Sequence, residues 1–306
     1  MLYQQIRPTK LSEFIGNESA KISLKRAFES EDRPHVFLLG GPSGCGKTTL
    51  ARIASAELGA EDFGIVEINA ASKRGIDMAR ELEKYARTSP MGGGARAVIL
   101  DEAHALTKDA QSALLKVLED VPEYAFYFLC TTEPHRLIKT IRTRCCKVDV
   151  NKLNDEDIAK LVDDVVERAH LENPGDEVVD AIIENADGSP REALMFLEQQ
   201  DGLSEKEALT VVQSRQTVKK EMLDLCRAVV RGSWKEVVNT YKRLEDKEPE
   251  KVRRAVLGYL KSCLMKANPN EAGRFADMME ELVSNTYDSG EPAVALMIFR
   301  ANRCKK

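Results

Sequence analysis

The chain has 306 residues, 43% hydrophobic and 31% charged, a balance that excludes wholesale disorder and is long enough for two or three packed domains. Lysine and arginine number 45 against 50 aspartates and glutamates, so the net charge of −5 excludes a uniformly basic nucleic-acid coat while leaving local basic patches open. Aromatics at 6% disfavour an aromatic-rich sandwich and lean towards a helix-rich build.

In chain order, the first strand signal is Val-Phe-Leu-Leu at 36–39. It runs into Gly41-Pro42-Ser43-Gly44-Cys45-Gly46-Lys47-Thr48, a full match to the phosphate-binding pattern G-x-x-x-x-G-K-[ST], with Thr49 and a helical stretch from Leu50 to Leu58 behind it. Such a loop wraps backbone N–H groups round phosphates at a helix N-terminus, where the dipole also favours negative charge. Lys47 is then expected to contact the β- and γ-phosphates of a nucleotide, and the Thr48 hydroxyl to ligate Mg²⁺. Further strands are expected at 65–68, 97–100 and 126–130, separated by helices, which predicts buried parallel strands in a three-layer α/β domain. The Gly92–Gly94 run reads as a loop.

Strand 97–100 ends in Asp101-Glu102, at the tip where a parallel sheet opens its ligand crevice. Asp101 is expected to hold Mg²⁺ through water and Glu102 to polarise an attacking water, which points to hydrolysis. Residues 109–119 form a helix with Ala110, Ala113, Leu114, Val117 and Leu118 on one face. Thr131-Thr132 closes the next strand, where a hydroxyl can reach between phosphate and water. A basic run from Arg136 to Lys147 holds five Lys/Arg and no acid, with Arg144 able to reach a neighbouring subunit's phosphates.

After residue 152 the strand signal vanishes. Ile158, Leu161, Val162, Val165 and Val166 make one helical stripe, and Val178, Val179, Ile182 and Ile183 another. Ser189-Pro190-Arg191-Glu192 reads as a helix start, with Arg191 a second candidate phosphate contact. Ser233-Trp234-Lys235-Glu236 is a capping box, and Pro249 and Pro292 sit where helices can begin. The division is 1–152 for the strand-rich domain, 153–208 for a small helical one and 209–306 for a second helical one. The seven cysteines show no C-x-x-C spacing, the histidines form no H-E-x-x-H, and no apolar run is long enough to span a bilayer. A reducing, cytoplasmic setting without membrane attachment is expected.

Several motifs carry a resemblance. Val66–Asp77, Leu100–His104, Ala113–Asp120, Thr131–Pro134, Thr143-Arg144-Cys145 and Gly188–Leu194 resemble the AAA+ clamp-loader ATPases over residues 1–212. The bacterial polymerase III gamma/tau branch is nearest, and the replication factor C small subunits are more distant. Residues 213–306 share only helical character and position. The resemblance implies a AAA+ module, a helical lid and a helical collar. It also implies ATP and Mg²⁺ as ligands, and a pentameric spiral of subunits that opens a sliding clamp and places it on primer–template DNA.

By the same resemblance Lys47 and Thr48 take Walker A roles, Asp101 and Glu102 Walker B, and Thr132, with Thr131 beside it, sensor 1. Arg144 matches the trans-acting finger, Arg191 sensor 2, and Tyr3, Arg7, Pro8 and Ile15 the segment round the adenine. Lys73, Arg74, Lys108 and Lys116 match the side that tracks the DNA backbone, with Arg74 able to restrain Glu102 until DNA binds. Thr143 stands where the family has serine. The four-cysteine zinc module of the gamma/tau branch has no counterpart in 56–65, so no zinc is expected. That absence, with the missing tau extension, suggests a phage or other mobile-element replisome. Two other readings compete: a branch-migration motor, whose third domain would be a winged helix, and a non-hydrolysing structural subunit, which commonly loses the P-loop lysine or the finger.

Overall fold

The computed structural model describes residues 1–73, 75–88, 93–286 and 290–304, the side chains of 213–219 and 270 excepted. The chain divides into two compact units, Met1–Leu209 and Thr210–Lys306.

The first unit is built on parallel strands β1 (Val36–Gly40), β2 (Ile65–Asn69), β3 (Arg96–Asp101), β4 (Ala125–Thr131) and β5 (Cys146–Asp149), in the order β2-β3-β4-β1-β5. The four strands expected from apolar runs are all present. The fifth, β5, starts at the end of the basic run and only Val148 of its four residues is buried, so no apolar run marked it. An edge strand needs little apolar sequence because one side of its ladder has no neighbour to satisfy.

Alternation along the strands fills both faces. Phe37, Leu39, Ile99, Phe128 and Cys130 point to one side, where helices α2 (Glu18–Glu29) and α3 (Lys47–Glu57) supply Leu24, Leu50, Ile53 and Ala54. Phe37 and Phe128 are register partners and stack with ring centroids 5.1 Å apart. Leu38, Val98, Leu100, Tyr127 and Leu129 point to the other side. There α4 (Ile76–Ala86), α5 (Lys108–Glu119) and α6 (Lys139–Arg144) cover them with Leu82, Leu114, Leu118 and Ile141. Thr107 starts α5 by accepting the Ala110 N–H at 3.2 Å.

A short α1 (Leu2–Gln5) packs on α9 (Pro190–Gln200), the last helix of a three-helix layer with α7 (Asp155–Ala169) and α8 (Asp176–Ala186). Asn154 caps α7 through the Asp157 N–H at 2.7 Å, and Ser189 caps α9 through the Glu192 N–H at 3.4 Å. This layer is tied to the phosphate loop by backbone: the Arg191 N–H donates to Gly44 O at 3.3 Å. Gly44 has φ +77, and a Cβ there would run into Ser189 Oγ. No L side chain suits that conformation or that approach.

The second unit is helical among its described residues. It comprises most of α10 (Glu205–Arg231) with α11 (Trp234–Arg243), α12 (Pro249–Lys266), α13 (Pro269–Glu280) and α14 (Gly290–Arg303). Its core joins Leu225, Val229, Val256, Leu260, Met278 and Ile298. The Ser233–Glu236 capping box forms in both directions, Pro249 opens α12, and Pro292 lies in the first turn of α14. Below the surface Arg253 grips Glu250 at 2.5 and 2.9 Å and donates to Leu282 O at 2.6 Å, while the Thr286 N–H and hydroxyl also donate to Glu250. Every acceptor of this buried pair is thus answered, the condition for such a pair to hold.

Two predictions arise. Gly44→Ala should destabilise the first unit by about 1 kcal/mol or more through the positive φ and the clash with Ser189, measured by urea unfolding; an unchanged midpoint would contradict the left-handed turn and close approach at Gly44. The Arg253 guanidinium, opposed by burial, holds the Glu250 carboxyl well below the usual carboxylate range. A carboxyl lowered on folding stabilises above its unfolded value of about 4.3 and loses that contribution as pH falls through the folded value. Glu250→Gln should therefore melt earlier than the parent at neutral pH, and the gap should persist to about pH 4 and close only in stronger acid. Thermal melts against pH decide it; a gap already closed at mildly acidic pH would contradict the pair.

Candidate active site

β1 lies between β4 and β5, so the loop leaving its end has a strand tip on either side. The Gly41 N–H donates to Thr131 O at 3.2 Å, and the Val150 N–H to Gly40 O at 2.7 Å. The loop then turns into α3 at Gly46, whose φ of +93 favours glycine and where an added Cβ would press on the Phe14 ring. Lys47 is 6% exposed, and its ammonium donates to Gly41 O at 2.9 Å and Pro42 O at 2.7 Å. A buried ammonium under the loop and the free N–H groups at the start of α3 make an anion cradle. Cys45 contributes backbone only: its side chain is in the core, and burial raises its thiol.

Two strands away, β3 ends at Asp101. Its Oδ2 accepts the Thr48 hydroxyl at 3.2 Å and its Oδ1 accepts the Glu102 N–H at 3.0 Å. Glu102 takes a left-handed backbone, φ +52, which directs the chain away from the strand. A hydroxyl and a carboxylate converging beside a phosphate cradle are hard oxygen donors, the set Mg²⁺ accepts. The residues present therefore fit Mg²⁺.

These groups border a cavity of about 330 Å³, within the range of small-ligand sites. Of the residues singled out in the sequence, Tyr3, Arg7, Pro8, Ile15, Ser43, Gly44, Gly46, Lys47, Thr48, Thr49, Asp101, Glu102 and Arg191 line it. Its upper wall is α7 and α9. Leu161 and Val165, seen in the sequence only as a helical stripe, line it together with Arg168 and Leu194, and Phe14 closes the side by the loop. The Arg191 guanidinium sits over the Tyr3 ring, 5.6 Å from its centre, and Arg7 Nε donates to Tyr3 O at 3.4 Å. Glu13 accepts the Thr9 N–H at 2.8 Å, a contact that lowers its carboxyl and folds the N-terminal segment against the cavity.

Gly41, Pro42 and Cys45 belong to the loop without lining the cavity, as do the strand-tip threonines to their strand. Thr131 is fully buried, with its hydroxyl accepting the Glu133 N–H at 3.0 Å and bonded to His104 Nδ1 at 3.0 Å; Thr132 is half-buried beside it. Arg144 is exposed at the end of α6, away from the cavity, and its guanidinium donates to Glu119 at 2.7 Å. Lys108 and Lys116 are exposed on α5, and exposed Lys73 pairs with Glu81 at 3.1 Å. Arg74 lies outside the described residues. Gln111 escaped the sequence reading because it sits on an apolar helix face. It is 3% exposed, donates to Leu106 O and Arg136 O, and accepts the Ile138 N–H, so it ties α5 to the segment after β4. Among the described residues no cluster of three or more His, Cys, Asp or Glu is arranged to hold a metal ion, and no helix is long and apolar enough to cross a membrane.

Residues 57–154 match the family model described as DNA polymerase III, delta subunit. Over 237 residues the chain is 30% identical to DNA polymerase III subunit gamma/tau of Mycoplasma pneumoniae, covering 71% of this chain and 35% of that protein. Over 198 residues it is 34% identical to the replication factor C small subunit of Natronomonas pharaonis, covering 64% of this chain and 60% of that one. The chain thus spans about a third of the first relative's length and three fifths of the second's. Among solved structures, the Thermotoga maritima RuvB branch-migration motor superposes with a TM-score of 0.59 at 20% identity, over 73% of this chain and 79% of that one. At that identity the likeness speaks for the fold alone. By sequence the chain is similar to the gamma/tau and replication factor C small subunits, and its fold is that of an α/β P-loop AAA+ domain followed by helices.

Proposed function

We propose that the chain is an ATP-hydrolysing clamp-loader subunit. The observation that carries this reading is the convergence of Lys47, Thr48, Asp101, Glu102 and Arg191 on one cavity in a chain whose relatives are gamma/tau and replication factor C subunits. ATP is the substrate. The loop N–H groups and Lys47 bind its phosphates, Tyr3, Arg7, Pro8 and Ile15 flank its base, and Arg191 reaches it from the lid. Thr48 and Asp101 would hold Mg²⁺, which when bound neutralises charge on the phosphate oxygens. Glu102 orients and polarises the attacking water, and Thr132 or Thr131 senses the phosphate from the tip of β4.

Arg144 serves a neighbouring subunit's ATP in this reading, consistent with its exposed place outside the chain's own cavity. The partners are then other clamp-loader subunits in a pentameric ring held by the second unit, a sliding clamp and primer–template DNA. Lys73, Arg74, Lys108 and Lys116 would follow the DNA backbone without reading sequence. Against a branch-migration motor stand the sequence relatives and the helices of the second unit, which shows no strand among its described residues. Against a structural subunit stands the complete set of Lys47, Asp101, Glu102, Arg144 and Arg191.

Lys47→Ala should abolish ATP binding. Glu102→Gln should keep ATP binding while turnover falls about a hundredfold or more. Nucleotide titration and steady-state phosphate release check both. Equal loss of binding in the two variants, or wild-type turnover in Glu102→Gln, would contradict the assignment.

A further inference from the structure

His104 follows Glu102 by two residues, in the one-turn Ala103–Ala105 helix after β3, and its side chain is 13% exposed. Its Nδ1 lies 3.0 Å from Thr131 Oγ1. Its Nε2 lies 3.3 Å from Glu102 Oε2 and 3.5 Å from Glu133 Oε1. Glu133 is also approached by Arg136 at 3.2 Å and by His135 at 3.8 Å.

The carboxylates orient the ring. Thr131 Oγ1 accepts the Glu133 N–H at 3.0 Å and still has its own proton to give. His104 Nδ1 lies within reach of that proton, while Nε2 faces Glu102 and Glu133. The ring proton then resides on Nε2, aimed at the two carboxylates. The opposite tautomer would set a bare nitrogen lone pair against Glu102 and Glu133, a repulsive arrangement in a partly buried place.

We propose that His104 is a positioning residue: through Nε2–H it holds the Glu102 carboxylate, and through Nδ1 it ties that carboxylate to Thr131 at the tip of β4. The contact is to Oε2, and Glu102 also lines the cavity. A shift at the end of β4 is thereby felt by the water-polarising group, and the reverse. In hydrogen-bonding terms the relay is the arrangement by which an imidazole fixes a reacting group while a second partner fixes the imidazole.

The inference rests on the ATPase reading, so its test has an arm that does not need turnover. In the full chain with isotope-labelled histidine, heteronuclear NMR should show His104 protonated at Nε2 with Nδ1 accepting. Glu102→Gln and Thr131→Val should each move its ring signals. A proton on Nδ1, or signals indifferent to both changes, overturns the proposal. In the turnover arm, His104→Ala should lower kcat about tenfold or more while ATP affinity stays within about twofold, because a misplaced group costs rate and not binding. His104→Gln, whose amide restores a donor near the Nε2 position, should recover part of the loss. His104→Ala turning over like wild type, or losing ATP affinity in step with rate, overturns it. A wild-type chain that binds ATP without turnover would overturn the ATPase reading, and the ring signals alone would then decide the contact.

Discussion

Everything in the first unit hangs on how the C-terminal end of β1 is held. Gly40 and Gly41 are fixed from β5 and β4 by the Val150 N–H and the Thr131 carbonyl, and Gly44 is fixed from above by the Arg191 N–H. These are backbone hydrogen bonds, so they set the path of the loop without depending on any one side chain. Each is modest by itself, since folding exchanges it against water. Together they leave the loop few ways to run. That path decides where Lys47 is buried, where α3 begins and how near Thr48 comes to Asp101.

Around that fixed end, chemistry and packing are segregated. The inner strands β1, β3 and β4 are buried along almost their whole length, while Asp101, Glu102, Thr131 and Glu133 gather at the strand tips. A parallel sheet covered by helices on both sides can place polar groups only at its ends, and the C-terminal ends are where the loops open. The lid completes the cavity with apolar side chains from α7 and α9 and with the guanidiniums of Arg168 and Arg191. One wall thus offers donors for anions and the other an apolar seat. Asp101 accepts the Thr48 hydroxyl and the Glu102 N–H, and the Glu102 carboxylate lies 3.3 Å from the His104 imidazole.

The sequence made the sheet's buried strands and the phosphate loop readable because both depend on local pattern. An apolar run with a glycine-rich loop behind it has few other folds. What it concealed was whatever depends on residues far apart in the chain. β5 carries one buried residue and reads as part of a basic loop until β1 is seen to pair with it. Phe14 and Glu13 reach the cavity from a segment with no periodicity, and Leu161 and Val165 read as plain core until the lid is placed. Glu119, one end of an apolar helix, gives no sign of its pairing with Arg144. The strand-tip threonines show the limit most clearly: adjacent and identical in type, they separate only once Thr131 is seen buried between His104 and Glu133.

The central claim is that the cavity hydrolyses ATP and is completed by a neighbour's Arg144. Its most direct test is ATP turnover per chain against protein concentration, with and without primer–template DNA, for the wild type and Arg144→Ala. The account predicts turnover that rises steeply with concentration, rises again with primed DNA, and collapses in Arg144→Ala while ATP binding is retained. Turnover that is flat in concentration, indifferent to DNA and unchanged by the substitution would contradict it.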